Sequence, residues 1–340
     1  MKRTLISTVL GATLVLSACG TTDEAGGAEA DTEPTATASQ ECDDVTTSTG
    51  PVSLTDAFGR TVELDEPASR VAVLEWQQIE DVLSLCVTPV AVADAAGFAT
   101  WNTAETLPEG VEDVGTRGEP NTEVLLAAAP DLIIMEAYTA EDESIKALEK
   151  LGVPVLATKG ADAADPIGQM KTTFELIAEA TGRTERAEVV LDEFDATLAE
   201  ATEQLADADL STTDFVYFDG WISGGNVALR PFGQGSLVGE LGEELGLTNA
   251  WTGKVDEAYG LGQTDIEGMT EVGDVLLLHT GTVDPDGKEF LEKVQSNAVW
   301  KKLPSVVDGN AHAFPAGIWM FGGPRSSEQI VEAYVDVLTN

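Results

Sequence analysis

Positive charge is what this 340-residue sequence has least of: 18 lysines and arginines stand against 60 acids, for a net charge of −42. Nucleic-acid binding needs a basic stripe that displaces counterions from phosphate, and none can be assembled here, so nucleic acid is excluded as a partner. Histidine is rarer still, with only His279 and His312 in the chain. A zinc site built on three imidazoles is therefore impossible, and both histidines read as core or strand-edge residues. No metal ligands and no cofactor are expected. Hydrolase signatures are missing too: there is neither a Gly-x-Ser-x-Gly elbow nor a His-Glu-x-x-His helix, which leaves an exported hydrolase as the rival from another class. Beyond the first twenty residues no segment approaches about eighteen uninterrupted apolar residues, the length a spanning helix needs.

What is present begins with an address. Lys2 and Arg3 precede a mostly apolar stretch, residues 5–16, which is too short to span a bilayer and ends in small residues, the pattern of a signal peptide. Leu16-Ser17-Ala18-Cys19 resembles the bacterial lipobox, so residues 1–18 are expected to be removed and Cys19 to carry a lipid anchoring the chain outside the cell membrane. Residues 19–50 are rich in Thr, Ala, Asp and Glu without an aromatic side chain. They cannot bury enough apolar surface to offset the entropy of ordering, and are expected to be a disordered acidic tether. Cys42 and Cys86 remain; in an oxidising compartment they are expected to form a disulfide, the alternative being two free thiols.

Two stretches of the remainder read alike. Glu123 opens a helical run leading through Pro130-Asp131 into an apolar strand at 132–135, and Glu267 opens a turn leading through Asp274 into another at 275–278. Continuous apolar runs alternating with helices mark buried parallel strands, so the sequence predicts two α/β lobes, 51–164 and 208–340. The first has strands at 71–74, 90–93, 132–135 and 155–157, and the second at 215–218, 226–229, 275–278 and 311–314. Residues 165–207 connect them through helices at 166–180 and 184–205, with Gly182 ending the first and Thr184 capping the second. Such a helix is a stiff hinge, unlike a Gly/Ser linker.

Several blocks carry a further signal. Asp56-x-x-Gly59-Arg60-x-Val62, Gly115-Thr116-Arg117-Gly118-Glu119-Pro120-Asn121, Asn249-Ala250-Trp251, Trp300-Lys301-Lys302-Leu303-Pro304 and Ala316-Gly317-Ile318-Trp319-Met320-Phe321-Gly322 keep a recognisable order and spacing. Together they resemble the siderophore- and cobalamin-type substrate-binding proteins of ABC importers, most of all the ferric hydroxamate-binding branch. The resemblance implies two Rossmann-like α/β lobes joined by a single long helix, with a ligand cleft between them. It also implies a binding protein and no enzyme. A ferric siderophore would be the ligand, with hydroxamate favoured over a catecholate, corrinoid or haem. A monomer would deliver it to a permease and, through that, to its ATPase.

Within that frame, Arg117 supplies a cation for the oxygens around iron, while aromatic walls face the organic shell. Tyr138 and Trp76 each follow a strand at the C-terminal edge, where α/β sheets place ligands. Tyr259 and Trp319 offer aromatic faces from the second lobe, and Trp221 and Arg230 flank the Gly224-Gly225 hairpin turn within reach of the cleft. Trp251 is assigned to packing, and Arg325 is left open between structure and function. The resemblance further assigns one acid per lobe to permease docking, at Glu123 and Glu267. The alternative is that both are ordinary acids favoured by helix N-termini.

Overall fold

The computed structural model describes Cys42 and residues 45–282 and 284–339. The expected signal peptide, Cys19 and residues 20–41 lie outside the described residues. A short antiparallel ribbon, β1 (Val52–Thr55) and β2 (Thr61–Leu64), leads into the first lobe. There β3 (Val71–Val73), β4 (Ala91–Val92), β5 (Glu112–Asp113), β6 (Leu132–Ala137) and β7 (Val155–Lys159) form a parallel sheet in the order β5-β4-β3-β6-β7. Helices α1 (Trp76–Ser84), α2 (Ala95–Trp101), α3 (Thr122–Ala127) and α4 (Glu143–Glu149) occupy the crossovers. The period of two explains why the strands are apolar throughout. Val71, Val73 and Ile134 enter a core layer with Ile79 of α1, whereas Ala72, Ile133 and Met135 enter another with Leu125 of α3. With both faces covered, neither set of side chains meets water.

The connection is α5 (Pro166–Thr181) followed by α6 (Thr184–Ala206). At 23 residues, α6 is roughly 34 Å long at 1.5 Å per residue. Ala187 and Val190 pack into the first lobe's core, and Phe194, Ala201 and Leu205 into the second's, so one apolar stripe serves both. Gly182 ends α5 in the left-handed region at φ 68°, as its sequence position predicts. Thr184 does not cap α6, however. It is already the first helical residue, and the N-cap, Arg183, makes no side-chain cap bond.

The second lobe comprises β8 (Asp214–Ser223), β9 (Asn226–Phe232), α7 (Leu237–Glu244), β10 (Thr248–Asn249), β11 (Leu276–Gly281), α8 (Pro285–Ser296), α9 (Pro304–Val307), β12 (Ala311–Ala316) and α10 (Pro324–Thr339). The strands β10-β8-β11-β12 are parallel, and β9 folds back antiparallel on β8. That hairpin is longer than its apolar core suggests, because β8 continues through the polar Asp219 to Ser223. Gly224 and Gly225 turn at φ 56° and 86°, the two-residue geometry that matches strand twist. Trp221 and Arg230 consequently sit on paired strands, with Arg230 opposite Asp219. His279 lies within β11, not after it, and burial pulls its imidazole pKa down.

The tether boundary at residue 50 is also set too late. Ser48 N–H donates to Gly182 O at 2.9 Å, and Arg183 Nη1 donates to Val45 O at 3.3 Å, so residues 45–50 lie along the α5–α6 junction. Cys42 and Cys86 are joined in a disulfide with Cα atoms 5.5 Å apart.

The lobes also meet away from α6. Glu80 of α1 is fully buried and accepts from the Ser326 N–H of α10 at 2.8 Å and from the Ser326 hydroxyl, while Asn102 Nδ2 donates to it at 2.7 Å. A carboxyl from one lobe thereby satisfies an otherwise unpaired amide at the start of a helix in the other. Its neighbour Asp81 is buried with neither oxygen hydrogen-bonded, and burial pushes its pKa well up.

Candidate interlobe ligand cleft

Arg117 stands at the centre of the cleft. Its loop is closed by the antiparallel bridge Gly115↔Pro120 and by Asn121 N–H donating to Val114 O at 2.7 Å. The guanidinium lies 3.7 Å from the centroid of Trp76 and 5.8 Å from that of Trp319, and Nη1 donates to Glu75 Oε1. Trp76 and Trp319 themselves meet edge to face at 4.8 Å, across the lobes. Cation–π contact and an ion pair together fix the direction of an otherwise flexible arginine while leaving its side chain 32% exposed to the cleft.

The hollow of about 310 Å³ between the lobes is lined by Arg117, Glu136, Tyr138 and Gly160 from one side and by Tyr259 and Trp319 among others from the second. It adjoins another of about 700 Å³ that shares Glu75, Arg117, Glu136 and Tyr138 and runs out over the start of α4. A larger hollow, about 780 Å³, lies beside Glu267, but it belongs to one lobe and has no aromatic or arginine lining. The interlobe cleft is the site with the chemistry for an organic ligand.

Each sequence candidate has a definite place. Tyr138 is 70% exposed at the end of β6, presenting its ring to the cleft. Tyr259 donates its hydroxyl to Glu136 Oε1 at 2.6 Å, bridging the lobes, and packs edge to face on Phe321 at 5.7 Å. Arg230 lines the cleft but is held by Asp219, with Nε at 2.8 Å from Oδ1 and Nη2 on Oδ2. Trp76 is only 6% exposed and buttresses Arg117 from beneath, so it is a support and not a wall. Trp221 faces a separate hollow with Trp101, Asp284 and Phe290, outside the cleft. Trp251 is buried in the second lobe's core, and Arg325 pairs with Glu193 and Glu328, tying α10 to α6.

Sequence reasoning missed Glu75, Glu136 and Phe321. Glu136 had a visible signal, being the one charged residue in the otherwise apolar β6. Burial first, then the charge of Glu75, pushes its pKa up to about 7, against the lowering effect of the Tyr259 hydroxyl and Arg117. Gly160 is what permits the approach: a Cβ there would fall 2.3 Å from both the Glu136 carboxyl and the Tyr259 hydroxyl.

Glu123, in the first turn of α3, and Glu267, at the N-cap position of a short turn, are both exposed. Asn121 caps α3 through bonds to Glu123 N–H and Val124 N–H, and the Glu267 side chain makes no cap bond to the turn Gly268–Glu271.

Residues 71–314 match the periplasmic binding protein family. The chain is 24% identical over 267 residues to the iron(3+)-hydroxamate-binding protein FhuD of Escherichia coli, covering 77% of this chain and 84% of that one. It is 24% identical over 323 residues to the probable siderophore-binding lipoprotein YfiY of Bacillus subtilis, covering 92% and 90%. Among solved structures, the FhuD of Vibrio cholerae with Fe3+–Desferal bound superposes with a TM-score of 0.68 at 23% identity, covering 80% of this chain and 98% of that one. The chain therefore belongs to the periplasmic binding protein family, extracytoplasmic proteins that bind a substrate for import and perform no chemistry on it.

Proposed function

We propose that the chain captures a ferric siderophore of the hydroxamate class and passes it to an ABC permease. The observation that carries this is Arg117, held on Trp76 by Glu75 with its free edge turned to a cleft walled by Tyr138, Tyr259 and Trp319. Such a cleft recognises the outside of a preformed chelate: aromatic faces take the organic shell and the guanidinium takes the oxygens around iron. Charge selects among chelates. Both cleft arginines are already neutralised, Arg117 by Glu75 and Arg230 by Asp219, and Glu136 adds a further carboxyl. Three hydroxamates, each singly charged, neutralise ferric iron, whereas three catecholate dianions leave a strongly anionic complex that this cleft would repel. The relatives name ferric complexes of several classes, a hydroxamate and Fe3+–Desferal beside ferric citrate and a triscatecholate, so the choice of hydroxamate rests on the charge of the cleft.

The partner surface is carried by Glu123 and Glu267, one on each lobe, both exposed and neither using its side chain to cap a helix. They meet arginines of the permease in this reading. Cys19 carries the lipid that keeps the protein, a monomer, on the outer face of the membrane. The direct test is titration of the purified protein with ferric and iron-free chelates while following tryptophan emission, since Trp76 and Trp319 border the site. Ferric trishydroxamates should quench saturably and more tightly than the iron-free ligands. Tight binding of a triscatecholate with no response to any hydroxamate would overturn the class.

A further inference from the structure

Glu136 is the one carboxyl of the cleft without a cation. Glu75 has Arg117 and Asp219 has Arg230, but among the described residues no lysine or arginine forms an ion pair with Glu136. Its hydrogen-bond partners are neutral phenol hydroxyls, Tyr259 at 2.6 Å and Tyr138 beside it, and the adjacent strand offers only Lys159, which is turned to Asp162 at 2.6 Å. The other groups facing it are Glu75 and Arg117. The neighbouring hollow adds Asp94 and Asp142 and no basic side chain beyond Arg117. Within the interlobe hollow itself, among the described residues, the Glu136 carboxyl is thus the one acid without a paired cation, beside the place where the chelate oxygens meet Arg117.

We infer that Glu136 selects a chelate bearing a pendant cationic group, an ammonium on the organic shell, so that the preferred ligand is a positively charged ferric trishydroxamate. This rests on the hydroxamate reading above and narrows it to a charge class. The geometry suits the task. Arg117 and Glu136 line the same hollow, so one end of a ligand can meet the guanidinium while a flexible arm reaches the carboxyl. A largely buried carboxyl whose donors are neutral hydroxyls has lone pairs to spare, and an arriving ammonium satisfies them in a site where water screens little. Tyr259 closes over the same carboxyl from the second lobe, so the cation also becomes a bridge between the lobes.

Ferric desferrioxamine B and its N-acetylated derivative present the same iron coordination and differ only in the ammonium. Binding constants for the two, measured by tryptophan quenching on the wild-type protein and on Glu136→Gln, test the inference. The wild type should prefer the ammonium form by about ten-fold or more, the scale of a hydrogen bond to a charged group in a shielded site. Glu136→Gln should bring the ratio close to one. Equal wild-type affinity for the two chelates overturns the inference and leaves the hydroxamate reading standing. A preference that survives Glu136→Gln removes the role from Glu136. Failure of both chelates to bind the wild type overturns the inference together with the reading beneath it. The wild-type ratio decides the matter even if the variant folds poorly.

Discussion

Glu80 and Glu136 both reach from the first lobe to accept hydrogen bonds from the second, and burial pushes the pKa of each up to about 7. Their surroundings differ in one respect. Glu80 is sealed, with three donated bonds from Ser326 and Asn102 filling its oxygens. Glu136 opens on the cleft, and its only donor from the second lobe among the described residues is the Tyr259 hydroxyl. Similar proton affinity therefore says little about role. Accessible, unfilled acceptor capacity marks a group that can meet a ligand, and complete satisfaction marks one that holds the fold.

The largest expected effect comes from the sealed end. Glu80→Ala removes the buried acceptor of the Ser326 amide and hydroxyl and of Asn102 Nδ2 and should cost about 3 kcal/mol, read as a fall in the urea midpoint. The same group sets a pH dependence. Because its folded pKa lies above the unfolded value of 4.5, the native state keeps a proton that the unfolded chain has lost, so stability should fall as pH rises from 4.5 to about 7. Asp81, shifted in the same direction, reinforces the trend. Glu80→Gln should flatten the slope across that window; an unchanged slope would show that the proton resides elsewhere.

At the open end, Arg117→Ala removes a charged donor aimed at the ligand. Affinity for ferric hydroxamates should drop about ten- to hundred-fold, with the unfolding midpoint little changed because the guanidinium is partly exposed. A matching loss of stability would make Arg117 a prop for Trp76 instead. The smallest effect on the isolated protein is expected from Glu123→Ala with Glu267→Ala, which touches neither end. Folding and chelate binding should be normal, and uptake by cells carrying the cognate permease should fail. Normal uptake at matched expression would take both residues out of the interface.

Much of this arrangement was legible in the sequence because buried parallel strands announce themselves as apolar runs, and 132–135 and 215–218 needed no further context. Arg117, Tyr138, Arg230, Tyr259 and Trp319 line the cleft, Arg117 and Tyr259 expected there from the family resemblance and Tyr138 from its place just past a strand. Glu80 was hidden for a physical reason: on a helix buried nearly all round, an acid's periodicity does not reveal whether it faces solvent or a partner in the other lobe. Glu75, the N-cap of that helix, reads as an ordinary cap until its pairing with Arg117 is seen. Trp76 and Trp221 were placed in the cleft because aromatic identity can be read from sequence, whereas the side of a strand or helix from which a ring approaches depends on the packing of both lobes.

One consequence belongs to α6, which takes no part in the cleft. Its apolar stripe passes from Val190 in one core to Phe194 in the next, four residues and about one turn later. The angle between the lobes is therefore a matter of phase. Each residue added or removed between those two contacts would turn one lobe against the other by about 100°, carrying Tyr259 away from Glu136 without altering a single side chain in the cleft.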